Sequence, residues 1–478
     1  VNASSPAVAH LHRDLIAAIG EDGVHTSPED LASYGFDAYT DVHLPAAAVL
    51  PRDASDVCAI VRVARTHGVP IVARGAGTGL CGAAVPLEGG IVISFARMNR
   101  ILAIDPYNRR ARVEPGVANA ALSAATARYG LFFGPDPSSQ NVATLGGNAA
   151  TNAGGAHAFA YGSMNANVIG LEFADVDGEL YTVRADDAGY DIIGALVGSE
   201  GTLAIITALE LRLLRSPRHV RVGLAAFADI ESASEAVSAI VGDAIAATAL
   251  EIMDRTIVHA VEAHFAAGFP VDAGAVLLVE VAGESEDVTE AERSLAAIVR
   301  GHGALSYRSA SDASERAALW ASRKGAAGAL GRIAPNYYIQ DATVPRTLLP
   351  QAIRAVERIA AKHAIPVGNV FHAGDGNLHP LLIFDRRDAR QVDAVAAAGE
   401  AILDACIALG GTISGEHGIG YEKRETLSRV FDENDIATML RVRDVFDPAR
   451  RFNPGKIFPS GTCDEVANPM PTETVAHA

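Results

Sequence analysis

An α+β fold divided into two or three domains is what this sequence predicts, on three observations. The chain has 478 residues, too many for one compact core. Its first half sets short strand and helix patterns around three glycine-rich loops. After Val220, strand-like and helix-like runs alternate in the manner of an antiparallel sheet backed by helices.

Hydrophobic residues make up 49% and charged residues 20%, which suits a well-buried soluble enzyme and excludes a disordered chain. Lys plus Arg is 39 against 57 for Asp plus Glu, so 39 − 57 gives −18. That balance argues against nucleic acid as a partner, and an anionic substrate would need a local positive site. Four cysteines (Cys58, Cys81, Cys406, Cys463) form no Cys-x-x-Cys pair, so a reducing cytoplasm is the expected compartment. No signal peptide and no uninterrupted apolar run near ~18 residues is evident, so no membrane span is expected. Peripheral docking to the inner membrane through a partner stays open.

In order along the chain, residues 1–45 read as a helical packing arm or lid. His10 to Ile19 carries Leu11, Leu15, Ile16 and Ile19 at helical spacing, and Ser27-Pro28 reads as a capped helix start. Ala46 to Pro51 is a first strand. Ala54 to His67 is a helix with Val57, Ile60, Val61 and Ala64 inward, followed by a strand, Val69 to Ala73.

The first glycine loop runs from Arg74 through Gly75, Ala76, Gly77, Thr78 and Gly79 to Gly82. Its glycines let backbone N–H groups approach a pyrophosphate, with Thr78 and Arg74 adding a hydroxyl and a charge. A strand (Ile91 to Phe95), not a helix, follows, which departs from the nicotinamide fingerprint. A hairpin (Ile101 to Asp105, Arg110 to Glu114) and a helix (Ala118 to Tyr129, stopped by Gly130) come next. The second loop spans Gly134 to Asn148 and leads to Asn152 and Gly155. Within it Gly146 and Gly147 would let backbone lie against a flat ring, while Ser138, Thr144 and Asn148 offer hydrogen bonds. After the strand Val168 to Asp175, the third loop, Gly198 to Gly201, runs into an apolar strand ending at Ile206.

Three such loops in this order resemble the FAD-binding domain of the vanillyl-alcohol oxidase (p-cresol methylhydroxylase) family, in which two α+β subdomains clasp FAD. The resemblance covers residues 46–217. It implies pyrophosphate contacts at Arg74 to Gly79 and isoalloxazine and ribityl contacts around Pro135, Asp136 and on to Gly147. It implies further contacts at Asn152, Gly155, Glu200, Gly201, Leu203, Ile205 and Ile206. Many relatives attach the flavin through a histidine of the first loop; residues 74–82 contain none, so non-covalent FAD is expected. Ala204 stands where Gly is usual.

Residues 218–460 read as an α+β cap. Strands are expected at Val222 to Phe227, Ala249 to Met253, Ala275 to Val281 and Ala304 to Ser309, and helices at Ile230 to Val241 and Thr289 to Val299. Arg323, near the only tryptophan, could fork onto a carboxylate; as a lone feature it reads more readily as an exposed helix charge. Pro335 to Pro345 is a strand that could line the same pocket. Residues 368–380 read as strand, tight turn, strand, with His372 and His379 on either side of Gly374-Asp-Gly-Asn377. A hairpin would aim both imidazoles at one point. Glu416 in the glycine turn Ser414 to Gly420 supplies a third donor, and neutral imidazole with carboxylate suits zinc, manganese or iron, among which spacing alone does not select; zinc is the ion expected. Glu416 and His417 are adjacent, so a turn at Gly415 and Gly418 is needed for both to serve one site.

With these motifs the chain resembles the FAD-linked 2-hydroxyacid dehydrogenase branch, which includes the bacterial glycolate oxidase catalytic subunit, D-lactate dehydrogenases and D-2-hydroxyglutarate dehydrogenases. The resemblance extends to Asn453-Pro-Gly-Lys-Ile-Phe-Pro459, with Asn453 near the flavin. It implies metal ligation by His372, His379 and Glu416, proton removal by His417, and carboxylate binding by Arg323 with help from Asn377. Relatives that accept a second carboxylate carry a hydroxyl and a lysine where Ala327 and Ile339 stand, which favours glycolate or D-lactate. The implied partners are that small acid and an electron acceptor: a quinone, an electron-transfer flavoprotein or an iron–sulfur subunit. An oligomer stays open. The competing readings are a D-2-hydroxyglutarate dehydrogenase, a metal-dependent hydrolase with vestigial flavin loops, and a non-catalytic flavoprotein subunit. Residues 461–478 read as a disordered tail.

Overall fold

The computed structural model describes residues 6–39 and 41–460, so the expected tail lies outside the described residues. The fold is α+β throughout, in two compact units. Of the described residues, the first comprises those up to Gly154, Gly162–Ser216 and those from His417 on; the second comprises Gly155–Tyr161 and Pro217–Glu416. The sequence division had grouped residues 417–460 with the cap. They sit in the first unit because Ile71 donates to Arg451 O and Asn453 donates to Ile71 O, laying this segment beside the strand Ile71–Arg74.

In the first unit, Ala47–Val49, Ile91–Ser94 and Ile71–Arg74 run parallel, with Val24–His25 on the edge. The helix Ala54–His67 covers this sheet. Asp53 caps it by accepting from Ser55 and Asp56 N–H, and Gly68 closes it in the left-handed region, as its sequence signals require. Pro6–Ile19 buries Leu11, Leu15 and Ile19 in the same core, while Ile16 faces outward. A second, five-stranded sheet is antiparallel, in the order Ile101–Asp105, Arg110–Val113, Ile205–Arg212, Val168–Ala174, Leu180–Arg184. The second glycine stretch is not wholly a loop: Leu145–Thr151 is a helix, capped by the Thr144 hydroxyl accepting from Gly147 N–H.

The second unit is built on an eight-stranded, fully antiparallel sheet. Its central order is His219–Phe227, Ala275–Gly283, Ala247–Asp254, Val367–His372, Asn377–Phe384. The expected strand at 335–345 is split into Asn336–Ile339 and Ala342–Thr343 by buried Gln340 and Asp341. Strand alternation puts Leu224, Leu278, Met253, Val370, Leu381 and Ile383 on one face, where they form the core with helices Arg255–Phe265 and Ala313–Lys324. Toward one end of that same face the apolar rows give way to Glu280, Glu251, His372 and His379. Among the described residues no helix is long and apolar enough to cross a membrane.

Candidate active site

In the first unit the three glycine loops meet at one groove. Arg74, Gly75, Gly146, Gly147, Gly201 and Ile206 line it, together with Ala204. The loops are packed closely enough to require glycine. A Cβ on Gly75 would lie 2.3 Å from Thr144 Oγ1, and one on Gly146 would lie 2.4 Å from Pro115 Cβ. The Arg74 guanidinium turns to the Phe36 carbonyl, and burial lowers its pKa.

Other residues expected at the cofactor are placed differently. Thr78 and Gly79 are half-buried and Ser138 is exposed, while Pro135 O accepts from the Asn119 side-chain amide and Asp136 N–H donates to Gly154 O. Asn148 is buried on the helix with its amide nitrogen unpartnered. The Asn152 side chain caps local backbone instead, accepting from Ser163 Oγ and Asn165 N–H. Leu203 and Ile205 point into apolar cores, and Gly155 belongs to the second unit. Asn453 donates to Ala83 O and Glu200 O, and its buried Oδ1 has no partner among the described residues.

Glu200 serves the C-terminal glycine turn. Its carboxylate accepts from Ile419 N–H at 2.7 Å and Gly420 N–H at 2.8 Å, just beyond His417. Burial pushes Glu200 up to about 7 despite these bonds, and burial lowers neighbouring Lys456 to about 7. Gly418 has φ +92°, which provides the turn that His417 needs; the conformation favours glycine.

In the second unit the hairpin forms as read, with His372 opposite Asn377 and Val370 opposite His379. Both imidazoles therefore share a face, 5.1 Å apart between centroids and nearly perpendicular at 87°. His372 Nε2 lies 3.1 Å and His379 Nε2 3.5 Å from the same oxygen, Glu416 Oε1. One donor atom from each of the three lies within 4.8 Å of the others. Ligands about 2.1 Å from a common ion stand roughly 3.0 Å apart in octahedral and about 3.4 Å apart in tetrahedral sites, so the donors fit a divalent cation. Burial opposes charge on His372, but Glu251 and Glu416 outweigh it and hold its pKa well above the ordinary value. Burial, against His372 and with Glu416 and Glu251, lifts Asp375 to about 6.

Arg323 is 5% exposed, not a solvated helix charge. Its guanidinium is in ionic contact with Glu251, while its Nε makes no hydrogen bond among the described residues. Asn377 is buried with its side-chain oxygen unpartnered among the described residues, and a Cβ on Gly415 would strike it at 2.4 Å. Gly415 is thus needed for clearance, not for its φ.

The sequence matches the FAD binding domain over residues 45–184 and the family of FAD linked oxidases, C-terminal domain, over residues 216–457. It is 42% identical to the glycolate oxidase subunit GlcD of Escherichia coli (strain K12), covering 92% of this chain and 89% of that protein. The chain belongs to the FAD-linked oxidases. It is also 31% identical to a D-lactate dehydrogenase of Anaerostipes hadrus, over 92% of this chain and 93% of that one. In fold it is similar to p-cresol methylhydroxylase, with a TM-score of 0.80 at 15% identity, covering 96% of this chain and 98% of the other.

As an FAD-linked oxidase the chain is an oxidoreductase that uses FAD, so the hydrolase reading has no support. Within this FAD-linked oxidase, sequence reasoning missed two carboxylates that organise the donors. Glu251 Oε1 is 2.8 Å from His372 Nδ1, and Asp341 accepts from Ser414 Oγ, Gly415 N–H and Glu416 N–H at 2.7–3.3 Å. A signal existed for the first: Glu251 interrupts the apolar strand Ala-Leu-Glu-Ile-Met, where a charge is rarely buried without a partner. Asp341 carried none beyond the break it makes in a strand.

Proposed function

We propose that this chain oxidises a small D-2-hydroxy acid, glycolate or D-lactate, to the 2-oxo acid. The observation that carries the reading is the convergence of His372, His379, Glu416 and Arg323 at one end of a single sheet face. FAD, which the glycine loops would hold without a covalent bond, would supply the two-electron chemistry. A divalent ion held by His372, His379 and Glu416, zinc first and manganese or iron next, supplies Lewis acidity that lowers a hydroxyl pKa.

The chain's own residues then have distinct tasks. Arg323 takes the substrate carboxylate through its guanidinium, with help from Asn377. His417 accepts the hydroxyl proton, an imidazole task near neutral pH. Loss of that proton and of the Cα hydrogen as hydride leaves the C=O bond of the product. Glu251 and Asp341 keep the donors in place. Flavin reoxidation falls to a quinone, an electron-transfer flavoprotein or an iron–sulfur partner subunit.

Substrate size follows from two apolar positions. Ala327 and Ile339 pack against the apolar core, so neither offers a donor to a second carboxylate. Anaerobic addition of glycolate or D-lactate should bleach the flavin, whereas D-2-hydroxyglutarate should not. Bleaching by D-2-hydroxyglutarate alone would replace this reading with the dicarboxylate one.

A further inference from the structure

Residues Gly155–Tyr161 lie in sequence among the flavin loops, yet they pack as part of the second unit. Three contacts fix them. Gly155 N–H donates to Glu416 Oε2 at 2.9 Å. His157 Nε2 lies 3.0 Å from Glu280 Oε1, and its ring rests 5.1 Å from that of Trp320. Phe159 lies against Gly374, where a Cβ would meet the ring at 2.8 Å, and Arg346 both covers that ring and donates to Gly374 O at 2.9 Å. Gly374 belongs to the turn joining the His372 strand to the His379 strand. The segment therefore touches one donor carboxylate, the turn between the other two donors, and the helix that carries Arg323.

Glu280 is the anchor. It is 9% exposed and faces three donors from separate elements: His157, Thr248 Oγ1 at 2.9 Å and Trp320 Nε1 at 2.8 Å. Burial pushes this carboxyl up, but the bonds outweigh it and hold its pKa below the ordinary value. A carboxylate satisfied by three elements resists rearrangement, because losing one partner leaves a buried acceptor exposed to its full desolvation cost.

We propose that Gly155–Tyr161 is a positioning strap for the metal donors, locked by His157 on Glu280 and Trp320, and that it sets the orientation of Glu416. The inference rests on the metal-donor reading above. With Oε2 tied to the strap, Oε1 is the oxygen left facing His372 and His379. His157 and Glu280 are positioning residues, acting on Glu416 through the strap.

The test uses flavin-loaded full-length protein, stripped with a chelator and titrated with zinc or manganese against a competing dye. Emission of Trp320, the only tryptophan, reports the strap in the same samples. H157A should bind metal about tenfold more weakly, the lower end of the usual cost of losing an outer-shell partner. Its Trp320 emission should also change. H157Q, which keeps a donor for Glu280, should recover most of the affinity. E280Q, which keeps the side-chain size and one acceptor oxygen but loses the second acceptor and the charge, supplies a further comparison should H157A not fold. Equal metal affinity in the variants and wild type would overturn the strap while leaving the donors intact, as would unchanged Trp320 emission. A wild-type protein that takes up no metal would overturn both.

Discussion

Glu251 Oε1 stands 2.8 Å from His372 Nδ1, on strands where the two residues are direct cross-strand partners. The same carboxylate touches Arg323, so one fully buried acid ties a donor histidine to the guanidinium proposed for the substrate. By occupying Nδ1 it leaves Nε2 to face Glu416.

Glu251→Gln should therefore weaken metal binding about 10- to 100-fold, the usual cost of losing a carboxylate behind a ligating histidine. Chelator competition is the measurement. Unaltered affinity would show that the ladder pairing alone orients the ring.

His417→Ala should keep the yellow colour and the metal but lose turnover by about 10²- to 10⁴-fold, the range for removing a general base. Stopped-flow reduction of the flavin separates this step from reoxidation. A variant reduced at the normal rate would assign the proton to another group.

Arg323→Lys retains a positive charge beside Glu251 but loses the planar fork. KM for the hydroxy acid should rise at least about tenfold with little change in Tm. Arg323→Met strands the buried Glu251 and should cost about 3 kcal/mol of stability in denaturant titration. If the two variants unfolded alike, the pairing would have no part in the fold.

Burial raises Asp254 to about 7, against hydrogen bonds from Ile257 and Asn369 that lower it. The folded pKa exceeds the unfolded one, so folded protein keeps a proton that the unfolded chain releases between about pH 4 and 7. This contribution is complete below about pH 4 and is lost as pH rises through 7. Asp254→Asn should flatten that part of the stability curve in thermal melts from pH 4 to 8. A variant with the wild-type slope would place the titration elsewhere.

Local chemistry was enough for much of this protein. Alternation and a Gly-Asp-Gly-Asn turn specify the hairpin of His372 and His379, because turn residues and register act within a dozen residues. Caps likewise mark Ala54–His67. The helix Leu145–Thr151 escaped notice because Gly146 and Gly147 disfavour a helix locally. It forms where Thr144 caps it and Pro115 leaves room only for glycine. Arg323 read more readily as a surface charge, and only the order of strands across the second sheet brings Glu251 beneath it and beside a histidine 121 positions away. Hydrophobic period says which face of a strand is buried, but which strand lies next to it is set by pairing over long sequence distances, and there the carboxylates found their partners.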